Sequence, residues 1–407
     1  MGRRIVICCD GTGNELNKTM SNVLKFYRCL EKNAQQTVFY TPGVGTLAQD
    51  NPWQQLKQKC RLLLGLGTGY GLDEDILEAY DFLCQHWQKD DRIYLLGFSR
   101  GAYTVRVLAA LIDTIGIVGP DQRNLASYGL TAYKKASGDK SAEVGSDDLK
   151  NAWLFGRVAG GRPARVEFIG VWDTVASIIV PRSDRLLPSM QTLRFTRTNR
   201  AVKTFRQAIA IDERRRMFRL NRWTTPQYYR PNPYKKESER PQDILQVWFA
   251  GVHSDIGGGY PESESGLSKF PLIWMLEEAA NAGLTFDEEV RDVISHGGTL
   301  AHGKESFVPP NVQGTLHVSL NTLWWLLEII PKQVRWREWP ARRAVLGWYL
   351  PVGEPRRIPT DALIHHSVRE RIALVKGYRP VNLQGNWRYT DDPVIAPDIE
   401  ERADAVR

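Results

Sequence analysis

The 407-residue chain is poor in sulfur and has no long apolar run. Its five cysteines, Cys8, Cys9, Cys29, Cys60 and Cys84, all lie in the first quarter, are odd in number and include no C-x-x-C pair. That argues against a disulfide framework and a zinc site and favours a reducing compartment. Cys8 and Cys9 sit inside an apolar run and read as buried small hydrophobes. No apolar stretch approaches the roughly 18 residues that a spanning helix requires. The N-terminus, MGRRIVICCDGTGN, shows no h-region or small-residue cleavage site, and Val6 stands where a myristoylation signal needs Ser or Thr. The expectation is a chain cytoplasmic as synthesised, with a signal-less export route open. Internal repeats and low-complexity tracts are also missing. With 42% hydrophobic and 25% charged residues, wholesale disorder is excluded.

The net charge of +8 is unevenly spread. From Arg182 to Arg240 there are 16 Lys/Arg against 5 Asp/Glu, so the rest of the chain is slightly acidic. Such a segment suits an anionic partner such as lipid headgroups, or simply makes a solvated face. It matches no DNA- or RNA-binding motif, and nucleic acid is not an expected partner. A second unusual stretch, Leu323–Tyr349, holds five of the 13 tryptophans interleaved with Arg335, Arg337, Arg342 and Arg343. It reads as a helical cap on the core or as an interfacial membrane contact.

Strands and helices alternate along the chain. Apolar runs predict strands at Ile5–Cys9, Thr37–Thr41, Ile93–Gly97, Val166–Trp172 and Ile244–Ala250. Helices are predicted around Ser21–Lys32, Gln54–Leu64, Asp73–Gln88, Gly101–Ile115 and Lys269–Ala282. Pro120–Lys150 reads as a polar stretch. Continuous apolar strands separated by helices predict a mainly parallel sheet covered on both faces. The expected division is a core over 1–290, with a basic cap-like insertion at about 178–243, and a Trp/Arg-rich helical extension over 291–407 packed on it.

The sharpest chemical signal is Gly97-Phe98-Ser99-Arg100-Gly101, a G-x-S-x-G string directly after one predicted strand and before an apolar helix. That is the context of a nucleophile elbow, which lifts a serine to the carboxyl edge of a sheet beside a helix N-terminus. Serine needs a base, and the base needs an orienting carboxylate. In α/β-hydrolases these follow in the order Ser, Asp or Glu, His, each after a later strand. Asp173 follows VEFIGVW and His253 lies just past ILQVWFA, outside the carboxyl ends of predicted strands. His365 and His366 compete as the base, and Asp184, Asp212 and Asp255 as the acid. An oxyanion hole needs two backbone N–H groups. Arg100 supplies one, and Gly11 or Thr12, in the turn after IVICC, the other.

Several motifs in order resemble one family, the α/β-hydrolase family typified by the catalytic domains of type VI secretion phospholipase effectors. They are CCDGTGN at 8–14, GLGTGYGLDEDILEAYDFL at 65–83, IYLLGFSRGAYTVR at 93–106 and FIGVWDTVAS at 168–177. AIDERRRMFRLNRW at 210–223 and VWFAGVHSDIGGGY at 247–260 continue the series, and ALIHHSVRERI at 362–372 looks similar too. The resemblance implies an α/β-hydrolase fold, Ser99 as nucleophile, Asp173 as acid and His253 as base. It also implies hydrolysis of carboxylic esters, with lipid or phospholipid acyl esters as the substrate class; peripheral contact with anionic membrane is an expectation that the basic and Trp/Arg-rich stretches add.

Other readings have weaker support. Thr12 stands where a haloacid-dehalogenase-type phosphatase needs a second acid. Gly65, Gly67, Gly69 and Gly71 lack the spacing of a nucleotide loop. His253 and Asp255 offer two metal ligands without a convincing third, so no metal or organic cofactor is expected. A small-ester carboxylesterase of the same fold, or a basic binding module on a vestigial hydrolase core, are the alternative functions.

Overall fold

In the computed structural model the described residues are 2–11, 19–43, 71–138, 147–175, 178–180, 189–191, 193–301, 305–334, 337–340 and 342–392. Eight strands form one sheet: β1 (Arg4–Cys9), β2 (Gln36–Thr41), β3 (Arg92–Phe98), β4 (Val166–Trp172), β5 (Val202–Ala210), β6 (Asp243–Phe249), β7 (Leu363–Ile364) and β8 (Arg388–Tyr389). Their order is β8-β7-β6-β5-β4-β3-β1-β2, and every pairing is parallel. This is the mainly parallel α/β sheet that the apolar runs predict.

The alternation of side chains along β1 shows how the layers are built. Ile5, Ile7 and Cys9 face one apolar cluster and Val6 and Cys8 the other. The first cluster is completed by α2 (Leu72–His86), α3 (Ser99–Ile115) and α4 (Ala126–Gly138), the second by α1 (Asn22–Cys29), α7 (Lys269–Asn281) and α8 (Glu288–His296). Helix α3 is buried at all but one of its positions, as an apolar helix central to a layer must be. Helix α1 starts where Ser21 accepts the Leu24 N–H, so the polar residue that looked like a helix start is its N-cap.

Three expectations need correction. The basic stretch at 178–243 is not simply an inserted cap, because β5 lies within it and pairs with β4 on one side and β6 on the other. Its sequence, VKTFRQAIA, hides the strand because Arg206 interrupts the apolar run. In the fold Arg206 is neutralised by Asp243 at 2.7 Å and by Glu278. The polar stretch at 120–150 contains α4 and the start of α5 (Asp147–Val158). The segment beyond 290 is not mainly helical: it holds α9 (Thr322–Glu328) and α10 (His366–Leu374), and it contributes β7 and β8 to the sheet edge. Within it, ALIHHSVRERI spans β7 and the start of α10. The helix expected at 54–64 and the glycines from Gly65 to Gly69 lie outside the described residues.

Candidate active site

Strand order reverses at β1. The chain leaves β1 toward β2 and returns to β3 on the other side, so the crevice between the carboxyl ends of β1 and β3 is the switch point of the sheet. Asp10 and Gly11 follow β1 there, and Ser99 follows β3. Ser99 opens α3 with φ +56°, the left-handed region that a non-glycine residue seldom adopts. Two glycines make that turn possible. A Cβ on Gly97 would stand 2.5 Å from the Gly101 carbonyl oxygen, and one on Gly101 would stand 2.1 Å from the Cys9 carbonyl oxygen. Strand, helix and β1 therefore approach one another more closely than any side chain would permit.

The first residue past β4 is Asp173, fully buried and also at positive φ (+35°). His253 opens α6 (His253–Gly257), the short helix just past β6. The structure brings the three together: His253 Nε2 lies 2.8 Å from Ser99 Oγ, and Nδ1 lies 2.5 Å from Asp173 Oδ2. A carboxylate only accepts, so the partners place the imidazole hydrogen on Nδ1 and leave Nε2 to accept from the serine hydroxyl. The imidazole is held between the Phe98 ring (centroids 4.6 Å apart) and the Phe218 ring (4.7 Å, edge-on).

Two arginine–carboxylate pairs hold His253 in place, and neither arginine was singled out in the sequence. Arg356 grips Asp173 bidentately, Nη1 to Oδ1 at 2.5 Å and Nη2 to Oδ2 at 3.0 Å. The same guanidinium donates to the carbonyls of Ala210 (3.1 Å) and Phe218 (2.8 Å). Glu213 accepts the His253 backbone N–H at 3.1 Å and is paired with Arg215, Nε to Oε1 at 2.9 Å and Nη2 to Oε2 at 2.8 Å. Arg106, buried within α3, donates to Thr174 Oγ1 at 2.8 Å and to the Asn221 carbonyl at 2.8 Å, bracing the turn after Asp173.

These contacts set the charges. Burial alone pushes the Asp173 carboxyl up, but the Arg356 guanidinium and the His253 hydrogen bond outweigh it and hold the group well below the usual carboxylate range. Burial similarly opposes ionisation of Glu213, and Arg215 reverses it, holding the carboxyl at about 2. His253 goes the other way: burial lowers its pKa below the ordinary value of 6.5, only partly countered by Asp173. At neutral pH the ring is uncharged and accepts at Nε2, the state in which a proton can pass from Ser99 Oγ.

The other candidates fall elsewhere. Asp212 accepts from the Gly251 N–H and the Tyr378 hydroxyl, and Asp255 from His317. Asp212 does follow a strand, the β5 hidden by its own charge, yet it is Asp173 that meets the histidine. His365 bonds Ser367, and burial lowers its pKa to about 3. Asp184 and Thr12 lie outside the described residues. Of the oxyanion candidates, Arg100 follows Ser99 in the first turn of α3, where backbone N–H groups lack helical acceptors. Gly11 lies against Ser99, but its N–H donates to Asp10 Oδ1 at 2.6 Å. Asp10 Oδ2 in turn accepts from Ser21 and, at 2.8 Å, from Tyr40.

With this geometry in hand, comparison with known proteins is informative. The family described as "T6SS, Phospholipase effector Tle1-like, catalytic domain" matches residues 3–278, well over half of the chain. The chain belongs to this family. The Tle1-like match takes in Ser99, Asp173, Glu213, Arg215 and His253, and it ends before Arg356. An uncharacterized protein of Saccharomyces cerevisiae, YEL023C, is 23% identical over 94% of this chain and 80% of its own length. Among solved structures, an uncharacterized protein from Pseudomonas aeruginosa is 19% identical over 70% of this chain, with a TM-score of 0.36. The Tle1 effector bound to the VgrG spike of the type VI secretion system is 19% identical over 66%, with a TM-score of 0.32. The chain spans about half the length of these two solved proteins, 47% and 53%.

Among the described residues no helix is long and apolar enough to cross a membrane, and no three His, Cys, Asp or Glu side chains are grouped to hold a metal ion.

Proposed function

We propose that the chain is a serine hydrolase of carboxylic esters, with an α/β-hydrolase fold and lipid or phospholipid acyl esters as its substrates. The observation that carries this reading is the hydrogen-bonded line from Asp173 through His253 to Ser99 at the sheet's switch point. Ser99 Oγ attacks the acyl carbonyl while its proton passes to His253 Nε2. Asp173 holds the Nδ1–H tautomer and balances the imidazolium. The alkoxide leaving group takes the proton from Nε2 and departs as the alcohol or lysolipid, leaving an acyl-serine. Water, deprotonated by His253, then releases the fatty acid and restores Ser99. Metal and organic cofactor play no part in these steps.

The carbonyl oxygen, as it becomes anionic, is received by the Arg100 N–H and by an N–H of the turn after β1. Since Asp10 already engages the Gly11 N–H, Thr12 is the better of the two candidates for the second donor. Arg356 and Arg215 act as positioning residues, fixing Asp173 against the imidazole Nδ1 and Glu213 against the His253 backbone N–H. The family supports lipid as the substrate class, and the arginines of the 178–243 stretch suit an anionic headgroup.

The test is incubation of the full chain with phosphatidylcholine and identification of the products. Free fatty acid with lysophosphatidylcholine is expected, and Ser99→Ala should lower the rate about 10⁴-fold or more. Release of phosphocholine, or a Ser99→Ala variant as active as the parent, would overturn the assignment. Turnover of short soluble esters with phospholipid left intact would favour the small-ester carboxylesterase.

A further inference from the structure

The strongest unexplained feature lies beyond residue 320. Of the 17 large apolar residues exposed among the described residues, eight fall between 325 and 350. Helix α9 presents Trp325 and Leu326, with Ile329 just past its end, and a tight hairpin presents Val345, Leu346 and Trp348. Val345 and Trp348 exchange backbone hydrogen bonds of 2.8 and 2.9 Å, so Leu346 and Gly347 are the two residues of the turn. Both have positive φ, +49° for Leu346 and +80° for Gly347, a turn that favours Asn-Gly. A leucine there is conformationally unfavourable, and this one is 94% exposed. Neither local geometry nor packing in the fold accounts for an apolar side chain at that tip.

We propose that this hairpin and the exposed face of α9 form a docking surface for a lipid bilayer carrying anionic headgroups, with Leu346 as the inserting tip. Two observations choose the bilayer as occupant. Arg337 and Arg343 are exposed beside the apolar residues, so the patch combines an apolar centre, an interfacial tryptophan and a basic rim. The patch is also continuous with the site: Trp324 of α9 meets the Phe218 ring at 5.4 Å, and Phe218 meets His253 at 4.7 Å. The helix that carries the patch is thus joined to the imidazole through two packed aromatic rings. The choice of lipid as occupant rests on the ester-hydrolase reading, and the patch itself does not.

Co-sedimentation of the full chain with vesicles tests the proposal, using phosphatidylcholine alone and an equal mixture of phosphatidylcholine and phosphatidylglycerol. The chain should bind both, more strongly the mixed vesicles, and added salt should reduce the difference. Leu346→Asn suits the turn, so the hairpin persists while the apolar tip is lost. It should lower vesicle partition about tenfold, the factor one leucine's burial carries, and leave hydrolysis of a soluble short-chain ester unchanged. A wild-type chain that fails to bind mixed vesicles, or a Leu346→Asn variant that binds like wild type, would overturn the proposal. So would a wild-type dimer that Leu346→Asn dissolves, since the patch would then cover a second copy of the chain. Ser99→Ala separates the two readings: vesicle binding must survive it, and soluble-ester turnover must not.

Discussion

Arg356 gives the most demanding prediction, because it joins the C-terminal segment to the Asp173 carboxylate. Consider Arg356→Met, which keeps the bulk of the stem and removes the charge. The pair is desolvated on both sides, with Asp173 fully buried and the Arg356 side chain 4% exposed. Breaking such a pair leaves an uncompensated buried carboxylate and costs about 3–5 kcal/mol. The Ala210 and Phe218 carbonyls also lose their donors, which keeps the estimate toward the upper end. Asp173 is ionised far below the unfolded value of about 3.9, so the pair's contribution is complete above that value and fades only as pH falls through the lower, folded one. The deficit seen in urea at pH 7 should therefore persist at pH 5.

Activity provides an independent readout. Arg356 Nη2 reaches the same Oδ2 that faces His253 Nδ1, so its charge stands about 5–6 Å from the ring and disfavours the imidazolium by roughly 3 kcal/mol at an effective dielectric of about 20. Solvent and relaxation reduce this, and the acid limb of kcat/KM should move up by about one pH unit in the variant. Arg356→Lys, which keeps charge without the bidentate fork, should restore much of the limb's position and less of the stability. A Met variant as stable as wild type, with an unmoved acid limb, would refute the reasoning.

Further predictions concern other parts of the fold. Wild-type kcat/KM should fall with acid at an apparent pKa below 6.5, because burial lowers His253 and the base must be neutral; a pH–rate profile on a soluble ester checks this. Gly101→Ala places a methyl 2.1 Å from a β1 carbonyl oxygen and should cost about 3 kcal/mol or more, seen as a lost or greatly lowered thermal transition. Leu346→Asn should leave the free chain as stable as wild type or up to about 1 kcal/mol more stable, since Asn tolerates the positive φ; urea titration in the absence of lipid measures it.

The residues that could be found in the sequence are those with a local signature. Ser99 sits between an apolar strand and an apolar helix with glycines two residues either side, and Asp173 and His253 each lie just beyond an apolar run. Backbone steric demand and strand burial leave their mark within a few residues of such positions. What could not be read depends on distant charge pairing. The strand β5 was hidden because Arg206 belongs inside the sheet only when Asp243 and Glu278 are present to meet it. Arg356 stands 183 positions from its carboxylate in a segment with little regular structure, and nothing near it in sequence announces the partnership. Glu213 and Arg215 were visible within AIDERRRMFRLNRW as part of a resemblance, but their role depends on β5 ending beside α6. The edge strands β7 and β8, two residues each, are too short to carry any period.

The central claim is that Ser99 is an activated nucleophile, and the most direct measurement is peptide mass spectrometry of the full chain after treatment with a fluorophosphonate. Phosphonylation should fall on Ser99, at a rate that drops sharply in His253→Ala. A chain that hydrolyses esters while carrying its adduct at another serine, or carrying none, would contradict the account.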